Sequence, residues 1–156
     1  MTSTTNERSR SRARARSAAR LAAVQALYQQ EMEGTALARL LDEFHQHRFG
    51  ATIEDETYIQ AEPAFFDDVV KGVDARRDEI DALIAARLAS GWSLERLDKP
   101  MRQILRAGTY ELLARIDVPV GSVISEYVDV ADAFYSKREK GFVNGLLDAI
   151  ARDVRK

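Results

Sequence analysis

The sequence predicts an all-α bundle of six or seven helices. Three observations carry that reading. Apolar residues recur at helical spacing in segment after segment, as amphipathic helices require. Glycine and proline stand where those segments start and stop. No segment alternates apolar and polar residues in the manner of a half-buried strand.

The first helix runs from about Arg8 or Arg12 to Met32, with Leu21, Val24, Tyr28 and Met32 on one stripe and Gly34 as its stop. Alanine and arginine, abundant there, are strong helix formers. Residues 1–11 read as a flexible basic arm, and residues 12–156 as a single all-helical domain. A second helix spans about Ala36 to Gln46, and the acidic stretch between Phe49 and Glu62 reads as a loop. Pro63 suits the first turn of a long helix that Gly91 ends, with Phe66, Val69, Val70, Val73, Ile80, Leu83, Ile84 and Leu88 inward. A short turn follows, opened by Ser93 as a cap. Pro100 starts the next helix, whose stripe is Met101, Ile104, Leu105, Gly108, Leu112 and Ile116. The segment "VPVGSVIS" has strand-like composition, but Val123, Tyr127, Val128, Ala131 and Phe134 continue it as a helix. "YSKREKG" reads as a basic turn before a last helix from about Gly141 to Val154.

At 156 residues the chain is long enough to bury its own core. With no cysteine, disulfides and thiolate metal sites are excluded, and a reducing cytoplasm fits. His45 and His47, two residues apart, fall on different helix faces without a third nitrogen ligand, so neither a metal nor another cofactor is expected. No apolar run approaches a membrane span, and none follows the basic start as a secretory signal needs.

Charge is unevenly placed. Residues 1–20 hold six arginines against Glu7, so a chain of net charge −2 leaves −7 on the remainder. Such asymmetry points to an anionic partner for the arm and to local rather than general nucleic-acid contact. As a helix the arm sets Arg8, Arg12, Arg16 and Arg20 on one stripe, with Arg10 and Arg14 about 200° away. Guanidinium groups on such a stripe grip phosphate oxygens bidentately and stack on bases. Composition alone leaves that reading and a solubilising tail equally open. A second cluster, Lys137, Arg138 and Lys140, precedes Phe142, a combination suited to a single-stranded RNA platform if the ring is exposed and to the core if it is not. Catalysis finds no footing: the paired acids solvate helix faces, and neither a phosphate loop nor a nucleophile elbow is present.

Three stretches, "ARSAARLAAVQALYQ" (15–29), "ILRAGTYELL" (104–113) followed by "DVPVGSVISEYVDVADAF" (117–134), and "GFVNGLLDAI" (141–150), together resemble the NusB family of bacterial transcription antitermination factors. The resemblance covers nearly all of the chain beyond residue 12. It implies an all-α fold of about seven helices in two small packed bundles, without catalytic activity and working in the cytoplasm. It also implies binding of the single-stranded boxA element of ribosomal-RNA leader transcripts. The implied partners are NusE, a small-subunit ribosomal protein, and the RNA polymerase elongation complex with other Nus factors. Carried over by position, Arg16 and Arg20 fall on the family's arginine-rich helix start, with Arg12 and Arg14 upstream as helpers. Tyr28 matches a tyrosine near the RNA and partner surface, Phe134 and Phe142 match aromatics bordering the RNA site, and Arg138 lies between them. Two positions depart from the pattern: Gly141 stands where the family often has lysine, with Lys140 as substitute, and Ser17 interrupts the arginine run. Asn144 and Gly145 match as structural residues, Gly145 through a close helix crossing, while Arg106 and Glu111 are open between a bundle ion pair and the NusE surface. The charge asymmetry also permits a homodimer in which the arm of one copy docks on the acidic body of another.

Overall fold

The computed structural model describes residues 3–49 and 62–156, which form seven α-helices and no strand. The acidic stretch 50–61, read as part of a loop, lies outside them. The helices are α1 (Ser3–Glu33), α2 (Leu37–Phe44), α3 (Pro63–Ala75), α4 (Arg77–Ala85), α5 (Lys99–Ala114), α6 (Val120–Asp132) and α7 (Lys137–Val154). A π-helical turn, His45–Phe49, extends α2, and a 3-10 turn, Leu94–Arg96, precedes α5.

Helix α1 starts at Ser3, so residues 3–11, expected as a flexible arm, continue the helix that packs on the core. The Ser/Arg/Ala composition allows this, because it contains no helix breaker and two strong helix formers. Its 31 residues span about 46 Å. Gly34, at φ 67°, stops it in the left-handed conformation that glycine adopts cheaply, and donates its N–H to Gln30.

The single long helix expected after Pro63 is broken at Arg76 (φ −113°, ψ 24°) into α3 and α4. The apolar stripe keeps phase across the break, since Val73, Ile80 and Ile84 are all buried. Phe65, absent from the expected stripe, is buried as well. Asp98, rather than Ser93, supplies a side-chain cap, accepting from the Met101 N–H at 3.2 Å at the start of α5. Helix α5 ends at Ala114, two residues short of Ile116, the last residue of the expected stripe, which is 79% exposed instead of inward.

Helices α1, α2 and α3 pack together, and α4, α5, α6 and α7 form the second group, with α4 seated mainly on α5. Helix α5 packs against α1, α3 and α4 on one side and α6 and α7 on the other. It accordingly buries Met101, Ile104, Leu105, Ala107, Tyr110 and Leu112 around its whole circumference, as a helix inside a core does. Gly108 permits the approach of α7: a Cβ there would lie 3.0 Å from Leu147 Cδ1. Gly145 has no such role, because a Cβ there would meet nothing within 4 Å. At the far end Arg155 donates to the carbonyls of Glu111, Leu112, Arg115 and Val118, satisfying the C-terminus of α5.

Candidate nucleic-acid interface

The arginines of α1 divide into two groups. Arg12 and Arg14 are exposed and have no acidic partner among the described residues. Arg12 and Arg16 face an open groove of about 320 Å³ between α1 and the start of α6, with Pro119 and Ser122 opposite. Arg16 is already engaged there: its Nε donates to Glu62 Oε2 at 3.2 Å, Asp117 lies 4.0 Å away, and its guanidinium stacks over the Phe65 ring at 4.8 Å.

Arg20 departs from the expected phosphate contact. Its side chain is 4% exposed and bonds both oxygens of Glu111, which is itself 0% exposed, at 2.8 and 3.0 Å. The Tyr127 hydroxyl donates to the same carboxylate, and Glu126 lies 3.6 Å from Arg20. Burial opposes the charge on Arg20, yet the Glu111 bonds and field raise its pKa above the ordinary value. Burial, reinforced by Glu111, holds the Tyr127 hydroxyl well above the usual tyrosine range. The expected four-residue arginine stripe thus ends inside the protein: Arg20, one turn before Val24, sits on the core face of α1. Glu111 and Arg106 are both bundle ion-pair residues with separate partners, Arg106 bonding Asp81 at 2.8 and 2.9 Å.

The second cluster stands at the start of α7 rather than in a turn, because Lys137 is the first helical residue. Ser136 precedes it as N-cap and bonds Glu139 at 2.8 Å, and that bond comes first in holding the Glu139 carboxyl below its usual range. Arg138 is exposed without an acidic partner among the described residues. Lys140 pairs with Asp132 at 2.8 Å across the α6–α7 connection, so its charge is shared within the fold. Phe134 and Phe142 are each 40% exposed at this end, which decides the sequence ambiguity over Phe142 in favour of a surface ring. Asn144 and Gly145, expected as structural, lie exposed on the same helix, and the Asn144 side chain makes no hydrogen bond to the described residues.

The expected residues therefore form two patches rather than one. Arg12 and Arg16 lie by the N-terminal end of α6, with Arg14 on the opposite face of α1, and Phe134, Arg138 and Phe142 lie by the C-terminal end of α6. The intervening 13-residue helix is about 20 Å long. Between the patches the α1–α6 groove is lined by Ser17, Leu21, Val130 and the acids Glu126 and Asp129, a wall that repels phosphate. Tyr28 and Met32 are exposed one turn apart on α1, near Lys99, whose Nζ lies 3.2 Å from the Met32 sulfur. Sequence reasoning missed Glu62, Asp117 and Asp132, the acids that engage the expected cations. Glu62 lies at the edge of a segment without periodicity, so no pattern marked it.

His45 pairs with Asp67 at 2.6 Å instead of facing solvent unpartnered, and among the described residues no group of metal-ligating side chains occurs. Nor is any helix among them long and apolar enough to cross a membrane.

A model of the NusB family matches residues 17–152. The chain belongs to the NusB family. It is 72% identical over 140 residues to the transcription antitermination protein NusB of Sphingopyxis alaskensis, covering 90% of this chain and 94% of that one. With the same-named protein of Caulobacter vibrioides the identity is 52% over 139 residues, or 89% and 93% of the two chains. Among solved structures, Thermotoga maritima NusB superposes with a TM-score of 0.75 at 33% identity, covering 90% and 93% of the chains. A chain from the complex of the antitermination factors NusB and NusE with double-stranded RNA superposes with a TM-score of 0.74 at 26% identity, covering 90% and 98%.

Proposed function

We propose that this protein is a non-catalytic, cytoplasmic transcription antitermination factor that binds single-stranded boxA-type RNA of ribosomal-RNA leaders together with NusE. In this reading Arg12 and Arg14 hold the phosphate backbone with Arg16, while Arg138, Lys140, Phe134 and Phe142 contact backbone and bases at the other patch. The observation that carries the reading is the pair of exposed, unneutralised arginines on a helix whose base is packed into the core. Such cations need little ordering on binding and form charge-assisted hydrogen bonds with phosphate. The exposed rings beside Arg138 supply the stacking faces that unpaired bases use. The similarity to a chain crystallised with NusE and RNA supports both partners. Tyr28 and Met32 form an apolar exposed pair suited to a protein surface, here read as part of the NusE contact. Attachment to the RNA polymerase elongation complex with further Nus factors follows from the same family reading. A homodimer, with the cationic arm on a neighbour's acidic body, is the resting state that this charge distribution would allow.

The reading is tested by titrating a fluorescent boxA-type strand and its scrambled counterpart in the presence of NusE. Tighter binding of the boxA-type strand is expected, and equal affinity would sink the claim of selectivity. In Arg12→Ala/Arg14→Ala the plot of log K against log salt should flatten by about 1.4, two phosphates at roughly 0.7 each. An unchanged slope would place the RNA elsewhere.

A further inference from the structure

The base of the cationic arm is an acidic place. The guanidinium groups of Arg16, Arg20 and Arg115 surround the Phe65 ring at 4.8, 4.8 and 4.9 Å from its centre. Those three cations share five carboxylates: Glu62 and Asp117 on Arg16, Glu111 and Glu126 on Arg20, and Asp68 with Asp117 on Arg115. The cluster is therefore net negative where the arm enters the body, and the uncompensated cations stop at Arg14.

Within the cluster, Glu62 is placed unlike the other acids. It is the N-cap residue of α3, but its side chain makes no cap bond to that helix. It turns instead to Arg16, while its backbone N–H donates to the Ala15 carbonyl at 3.0 Å and pins the entry to α3 against α1. Arg16 keeps 28% of its side chain exposed and Glu62 keeps 32%, so solvent and an incoming anion reach the pair. The faces of Arg16 are otherwise accounted for: one rests on Phe65, and NH1 points towards Asp117. The edge that a phosphate would take bidentately includes the Nε that Glu62 holds.

We infer that Glu62 sets the RNA affinity of this interface by competing with phosphate for Arg16, so that binding exchanges the Glu62–Arg16 ion pair for a phosphate contact. The inference rests on the reading that this end of α1 binds RNA. Glu62 acts here as a positioning residue through Arg16 and touches no base itself. The sign of the effect separates competition from simple support: a residue that merely orients Arg16 for RNA weakens binding when lost, whereas a competitor strengthens it.

The test is the full-length Glu62→Gln variant, titrated with the boxA-type single strand across a salt series beside wild type, Arg16→Ala and the double variant. Competition predicts binding about two- to fivefold tighter at low salt, from the release of one partly exposed ion pair. Arg16 meets the same phosphate in both proteins, so the salt slope should stay near the wild-type value. The gain must vanish in the Arg16→Ala background, as a double-mutant cycle requires. Unchanged or weaker binding by Glu62→Gln overturns the inference, as does a gain that persists without Arg16, which would be a general charge effect. If Arg12→Ala/Arg14→Ala weakens RNA binding while Glu62→Gln does not strengthen it, only the competition falls. If neither variant alters binding, the RNA reading falls and the inference with it.

Discussion

Truncating Arg20 (Arg20→Ala) should cost about 3–5 kcal/mol of folding stability, the usual loss when one member of a buried ion pair is removed. The reason is what stays behind. Glu111 is 0% exposed, and its two oxygens take bonds from Arg20 Nε and NH2 and from the Tyr127 hydroxyl. Without the guanidinium its charge has no facing cation, and Glu126, which also borders Arg20 at 3.6 Å, has the same sign. Lysine at position 20 restores a charge without the planar fork that meets both carboxylate oxygens, so Arg20→Lys should recover only part of the loss. Replacing both partners with apolar residues of similar volume, as in Arg20→Met/Glu111→Leu, should cost less than Arg20→Ala alone, because no buried charge is stranded. Denaturant unfolding reads all three, with the midpoint falling at constant m. A change for Arg20→Ala within about 0.5 kcal/mol of wild type, the range of ordinary surface substitutions, would place Arg20 outside the core.

Two glycines should respond to alanine with opposite signs. At Gly72 on α3 an added Cβ would lie 2.1 Å from Cε1 and Cζ of Tyr110 and 2.6 Å from its hydroxyl. That ring cannot swing away freely: it is buried, and its hydroxyl donates to Asp68 at 2.8 Å. Burial, with Asp68, also pushes the Tyr110 pKa up to about 12. Gly72→Ala gains about 1 kcal/mol of helix propensity but meets overpacking of about 1–3 kcal/mol, and a clash this deep lies at the upper end. Net destabilisation is expected, with a lower melting temperature. At Gly145 the added Cβ meets open space, so Gly145→Ala should raise stability by up to about 1 kcal/mol. Stabilisation by both substitutions would contradict the packing of Tyr110 on α3.

Much of the fold is legible because each helix writes its core face as a stripe. Leu21 and Val24 announce α1 and Gly34 announces its end, although Tyr28 and Met32, on the same expected stripe, stay exposed. The break between α3 and α4 is not legible, because Val73 and Ile80 stay in phase across it and nothing in the sequence at Arg76 forbids a continuous helix. Arg20 is the instructive case at the site. The same four-residue step continues the arginine stripe from Arg16 and begins the apolar stripe at Val24, so spacing assigns it equally to surface and core. Its burial depends on Glu111, 91 positions away and itself set between Tyr110 and Leu112. For the basic cluster a local signal was present. Ser136 and Glu139 stand in the S-x-x-E spacing of a capping box, which places Lys137 and Arg138 on the first turn of α7 rather than in a loop.

In the function proposed above, RNA is held by the cations the fold leaves free, while the buried arginine serves the fold. Nuclear magnetic resonance of the arginine Nε–Hε groups during titration with the boxA-type strand tests it most directly. Arg12, Arg14 and Arg138 should shift in proportion to bound RNA while Arg20 keeps its unbound frequency. Movement of Arg20 with Arg12 and Arg14 unmoved would contradict the account.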